Sequence, residues 1–307
     1  MERTLRIPLQ ASKRWRSRQF RHTLAGYLFI SPAILLNAVF VLLPLFMTFW
    51  ISAHHWPPLG ERPFVGLKNY ADALRDEVFT YAFAFTTKYT LLVTPAIFIT
   101  AMALAMLVDQ RLRGVGFFRT IYFVPVVIGF VVSGLVFRWI FSSEIGLADY
   151  IAMSLGLSSK PVGWLTGGMK TVASVILMIV WKTAGYSMVL LLTGMQAIPH
   201  DLYEAAAIDG ATIWGRFRFI TAPLLRPTFA LALTISVIGS YLGFDFWFVM
   251  TGGGPAHETT TVVMWIYRTS FQFFKMGTGA AMSTILLGFL VILSYIQIRV
   301  LRTTIEY

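Results

Sequence analysis

The 307 residues include no cysteine, which excludes disulfide frameworks and thiolate chemistry. Charge is scarce at 13%, and acidic residues are the rarer sign, 14 Asp and Glu against 25 Lys and Arg. The five histidines do not fall at metal-ligand spacings. His54 and His55 are adjacent, while His200 and His257 stand alone, so all four read as loop residues and no metal is expected. The apolar segments hold no cluster of His, Asp, Glu or Ser such as a membrane-embedded enzyme requires. A nucleotide loop ending in Gly-Lys-Ser/Thr is also missing: TGGGP at Thr251 to Pro255 reads as a tight turn. The chain therefore cannot hydrolyse ATP alone, and it reads as no catalyst, with no cofactor of its own. Neither an internal repeat nor a soluble domain stands out.

Apolar sequence is plentiful. The chain is 57% hydrophobic with a mean hydropathy of +0.70, the signature of a polytopic membrane protein. Apolar runs at 24–51, 81–108, 116–141, 170–195, 224–250 and 277–301 all exceed the roughly 20 residues needed to cross a bilayer. The expected fold class is all-α, with six transmembrane helices. Arg3, Arg6, Lys13, Arg14, Arg16, Arg18 and Arg21 precede the first run, which is too long for a signal-peptide core and lacks a small-residue cleavage site. It is read as a retained span with its basic tail in the cytoplasm.

Six spans then place both termini in the cytoplasm. Charge tests this orientation independently. Arg111, Arg113, Arg119, Arg216, Arg218, Arg226, Arg299 and Arg302 join the tail on the inner side. Arg62, Lys68, Arg75, Lys160, Lys170, Arg268 and Lys275 fall outside, so basic residues favour the inside by roughly two to one. The net charge of +11 thus reads as membrane orientation instead of a nucleic-acid surface. The expected organisation is a cytoplasmic tail over 1–23, a transmembrane domain over 24–302 and a cytoplasmic end over 303–307.

One inner segment has unusual punctuation. DLYEAAAIDGATIWGRFRFITAPLLRP, from Asp201 to Pro227, lies between the fourth and fifth runs. Asp201 and Glu204 have the spacing of an N-cap and its N3 partner. Asp209-Gly210 suits a helix stop, Thr212 the cap of a second short helix, and Pro223 its limit.

These residues carry a resemblance. EAAAIDGA followed by FRFITAPLLRP resembles the EAA loop of binding-protein-dependent ABC importer permeases, with Glu204, Ala205, Ala206, Gly210, Ile220 and Pro223 at the pattern positions and Ala222 where Leu is usual. FVGLKNYADAL, GFFRTIYFVP, SPAILLNAVFVLLPL and FDFWFVMTGGGP occur in order, and resemble the larger permease subunit of maltose-type sugar importers. The resemblance implies a coupling-helix loop over 196–223, with Glu204, Ala205, Ala206, Asp209 and Gly210 meeting an ATPase. It further implies a second homologous permease, two ATP-binding subunits carrying ATP and Mg, an extracytoplasmic solute-binding protein, and a multi-pass place in a prokaryotic inner membrane. The long outer segments 52–80, 142–169 and 251–276 suit docking of that binding protein.

For a solute path the fourth run offers Gly185 and Tyr186, and the fifth offers Ser236, Ser240 and Tyr241. Ser236 and Ser240 share a helical face. Small residues permitting close helix packing is the competing explanation. Lys88, Lys182 and Asp245 are read near the outer ends of their spans, at interfaces or subunit contacts, and a contact of either lysine with Asp245 would satisfy both charges. A self-sufficient secondary transporter or channel remains the alternative, although it would need deeper and better paired charges.

Overall fold

The computed structural model describes residues 10–110, 113–143 and 145–301, with side chains from residue 22 onward. Arg3, Arg6, Arg111, Arg302 and the segment 303–307 lie outside the described residues. No strand is present among the described residues; the only β pairing is an isolated bridge between His54 and Phe64.

Helix α1 (Gln10–Asn37) runs through a π-turn (Ala38–Leu42) into α2 (Leu43–Ser52). A short α3 (Lys68–Arg75) precedes the long α4 (Glu77–Val108). Asp76 caps α4: Oδ1 accepts from the Phe79 amide at 2.9 Å and Oδ2 from Trp265 Nε1 at 3.1 Å. Helices α5 (Val115–Val127) and α6 (Phe130–Ile140) follow, then α7 (Leu147–Ser154) and the 29-residue α8 (Gly168–Gln196). After α8 come α9 (His200–Ile208), α10 (Ile213–Arg216), a π-turn (Phe217–Thr221) and α11 (Ala222–Leu224). The chain closes with α12 (Arg226–Tyr241), α13 (Asp245–Met250), α14 (Val262–Tyr267), a π-turn (Arg268–Gln272) and α15 (Met276–Leu301).

Four of the expected apolar runs are rods long and apolar enough to cross a membrane, ending in α2 and comprising α4, α8 and α15. The other two differ from expectation. The third run is two helices meeting at 95°, because Ile128 and Gly129 between them are extended: α5 closes with the Ile128 amide on Pro125 O, and α6 starts afresh at Phe130. The fifth ends at Tyr241; Leu242 to Phe244 interrupt it, and α13 packs separately against α6.

Helix α4 lies along α8 at the centre, α12 and α15 pack together with α4, and α2 and α3 pack on α15. Aromatic side chains fill one core cluster, where Trp247 meets Phe85 and Tyr89 edge-on at 5.1 Å each. A second cluster, including Ala101, Ala105, Met188, Leu191 and Ala232, joins α4 to the last turns of α8 and the first of α12. The apolar window of the first rod is 0% buried, so lipid or another subunit must cover it.

Two local expectations about the Asp201 to Pro227 segment are corrected. Pro199, not Asp201, occupies the N-cap position of α9, and no side chain caps it. Proline suits a helix start because its fixed φ and missing amide hydrogen cost nothing there, and Asp201 then sits in the first turn, near the positive end of the helix. Pro223 does not stop the second helix either. The preceding π-turn widens the backbone so that the winding continues to Leu224, and a 69° bend follows at Leu225. The π-turn before Pro44 precedes its proline at the same spacing.

Candidate functional site: a cavity and an exposed loop on shared helices

The loop is internally fastened. Gly210 has φ +76°, the left-handed conformation that glycine adopts without a Cβ penalty. Its amide donates to Ala207 O at 3.1 Å, and the Ala211 amide donates to Ala206 O at 2.8 Å, a Schellman-type close of α9. Thr212 Oγ1 accepts from the Gly215 amide at 3.2 Å and caps α10. Tyr203 Oη and Thr221 Oγ1 are 2.9 Å apart, tying α9 to the π-turn, and Arg216 Nε donates to Ala211 O. Glu204, Ala205, Asp209 and Gly210 are exposed and Ala206 half-buried. Beside them Ile208 is 87% and Ile213 79% exposed, apolar surface that a membrane-protein loop keeps only where something covers it.

Between α8, α12 and the broken α5–α6 pair lies a cavity of about 290 Å³. Its α8 wall presents Thr183, Tyr186 and Ser187, and its α12 wall Ser236, Gly239 and Ser240. Phe130, Tyr89, Phe244 and Phe246 supply aromatic surface, and Asp245 is the sole carboxylate among the described lining residues. Ser240 Oγ donates to Ser236 O at 2.8 Å, and the buried Tyr89 hydroxyl is a side-chain partner of Ser240. The cavity is therefore apolar-walled, with a few hydroxyls and one acid converging on it, as small-molecule sites are.

Of the residues singled out for a solute path, Tyr186, Ser236 and Ser240 line this cavity. Gly185 points away and lets the α5 backbone come close: a Cβ there would overlap the Tyr122 carbonyl oxygen. Tyr241 is buried elsewhere, its hydroxyl 2.8 Å from Thr87 Oγ1 and its ring 5.2 Å from that of Phe289. Thr183, Ser187, Phe130 and Asp245 were not singled out for it. Thr183 and Ser187 are four apart and flank Tyr186 on the same stripe, a signal visible in the sequence. Phe130 carried none, since only the break in the third run brings it inward.

The intramembrane charges also differ from expectation. Lys182 is at the midpoint of α8, buried, and its ammonium donates to backbone carbonyls at the α5–α6 break instead of snorkelling. Neither Lys182 nor Lys88 forms an ion pair with Asp245; among the described residues the one acid–base side-chain pair within 4 Å is His200 with Glu204 at 3.9 Å, ionic only with the imidazole protonated. Lys88 is exposed on α4.

The sequence profile of the binding-protein-dependent transport system inner membrane component family matches residues 101–306. The trehalose/maltose transport system permease protein MalF of Thermococcus litoralis is 36% identical, over 90% of this chain and 92% of the relative. The lactose transport system permease protein LacF of Rhizobium radiobacter is 33% identical, over 89% of this chain and 92% of its own length. In fold, the chain is similar to a bacterial ABC transporter involved in the import of the acidic polysaccharide alginate, with a TM-score of 0.81 at 21% identity, covering 96% of this chain and 100% of that one.

Proposed function

The chain belongs to the binding-protein-dependent transport system inner membrane component family, and from that premise we propose that it is one permease of an ATP-driven importer for a sugar or sugar-like solute. It forms half of a heterodimeric pore with a second, homologous permease. The relatives named for trehalose, maltose and lactose support the sugar class, and so does the lining of the cavity. Asp245 accepts two solute hydroxyls, Ser236, Ser240, Thr183 and Ser187 add single hydrogen bonds, and Phe130, Tyr186 and Phe244 offer flat faces to a pyranose ring.

One observation carries the mechanism: the helices that wall the cavity, α8 and α12, are the two that bracket the exposed α9–α11 loop. A push on that loop must move both cavity walls. Counting each bent pair as one span gives six, with the termini and the loop in the cytoplasm of a prokaryotic cell and the chain multi-pass in the inner membrane. Two ATPase subunits carry ATP and Mg, and one of them receives Glu204, Ala205, Ala206, Asp209 and Gly210. An extracytoplasmic binding protein delivers the solute on the opposite side. Closure of the ATPase pair on ATP then rocks α8 and α12 and turns the cavity from one side of the membrane to the other.

Reconstitution tests this. The complete transporter in liposomes, offered radiolabelled maltose, trehalose and lactose, should accumulate at least one of them only when ATP and the binding protein are both present. Uptake by this chain alone on an ion gradient would contradict it.

A further inference from the structure

A buried lysine halfway along a membrane-crossing helix requires a reason, because a charge at that depth is costly unless it is well solvated by protein. Among the described residues Lys182 has no carboxylate partner. Its Nζ donates to Pro125 O and Val126 O at 3.2 Å each and to Ile128 O, and it stands 4.6 Å above the centre of the Phe130 ring. Pro125 O also accepts from the Ile128 amide at 3.3 Å in the last turn of α5, whereas Val126 O and Ile128 O follow it at the break, and the ring belongs to the first residue of α6. The C-terminal end of a half-helix is electronegative, and in broken membrane helices such ends hold diffusible cations. Here the cation is tethered.

The geometry points to Lys182 as the positioning residue of the cavity: its ammonium fills a three-carbonyl cation site, fixes the 95° break between α5 and α6, and so sets Phe130 in the cavity wall. Without the ammonium, the electronegative end of α5 would lose its counter-charge, and Val126 O and Ile128 O their side-chain donor. With it, the bend needs no bound ion, in keeping with transport driven by ATP. Thr183 and Ile179, on the same stretch of α8, also line the cavity, so the clamp and the wall are one rigid piece. This inference deepens the reading of the cavity as the solute path and rests on it for the role of Phe130.

The test uses the complete reconstituted transporter. Spin labels at Phe118→Cys on α5 and Val136→Cys on α6, both exposed sites in a chain without cysteine, report the bend without any solute. Lys182→Met should shift the distance distribution to longer values and broaden it, while Lys182→Arg, which keeps a cation able to donate to the same carbonyls, should retain the parent distribution. In uptake of maltose, trehalose and lactose, Lys182→Met and Phe130→Ala should each raise KM several-fold for the transported sugar, with the double variant no worse than the poorer single one. A Lys182→Met distribution superimposable on the parent overturns the clamp. Should Lys182→Met fail to assemble, assembly of Lys182→Arg with the parent distribution upholds the clamp, and failure of both overturns it. A changed bend with unchanged KM leaves the clamp standing and removes the cavity from the solute path.

Discussion

Gly185 of α8 sits directly against the carbonyl of Tyr122 in α5, so closely that a methyl group on Gly185 would overlap the oxygen. The contact fixes how the half-helix α5 crosses α8 and places the α5–α6 break, with Lys182 three residues earlier, beside the cavity. Gly185→Ala should therefore cost stability, about 1–3 kcal/mol by the usual penalty for overpacking. Thermal unfolding of the purified complex checks it, with a lowered midpoint expected.

Gly210 offers the opposite case. No atom lies within 4 Å of a Cβ placed there, so a substitution meets no clash, only the conformational cost of a left-handed φ, about 1–2 kcal/mol. Gly210→Val should distort the close of α9 while leaving the bundle intact, and Gly210→Asn should be tolerated. The ratio of solute transported to ATP hydrolysed is the measurement, with a fall expected for Val alone.

Asp245 is the strongest hydrogen-bond acceptor in the cavity. Asp245→Asn retains the shape but removes the charge, and charge-assisted hydrogen bonds contribute about 1.5–3 kcal/mol. KM for the imported sugar should rise by roughly one order of magnitude or more, with the ATPase activity of the complex retained. Steady-state uptake across a sugar concentration series checks this.

Asn69 explains what one stretch of FVGLKNYADAL does. Its buried Nδ2 donates to Ser52 O and His54 O, both at 2.8 Å, joining the end of α2 to α3 where Gly277 of α15 approaches. Asn69→Ala leaves two carbonyls unpaired, each costing about 1–3 kcal/mol. The amount of assembled complex recovered from membranes should fall sharply.

The long rods were legible because a run of more than about 20 apolar residues has few other uses. The Gly210 stop and the Thr212 cap were legible because each depends on one side chain and its own backbone. Reading failed where a tertiary partner decides. The bend in the third run depends on Lys182, which is remote in sequence, and hydropathy alone cannot separate a straight span from two helices at 95°. Likewise Gly185, Ser236, Ser240 and Tyr241 are all small or amphipathic residues on membrane helices, and only the packing of α5, α8 and α12 separates those that line space from those that fill it. Asp201 has the right spacing for a cap, but the rigid Pro199 two residues earlier begins the helix first.

The central claim is that the loop around Gly210 and the cavity around Ser236 move together through α8 and α12. A single Ser236→Cys in this cysteine-free chain, within the complete transporter in sealed vesicles, reports which side the cavity faces through its reaction with a membrane-impermeant thiol reagent. Labelling should occur from one side without ATP and from the other with ATP trapped, and addition of Gly210→Val should abolish that switch while hydrolysis continues. Labelling from the same side in every nucleotide state, or a switch untouched by Gly210→Val, would contradict it.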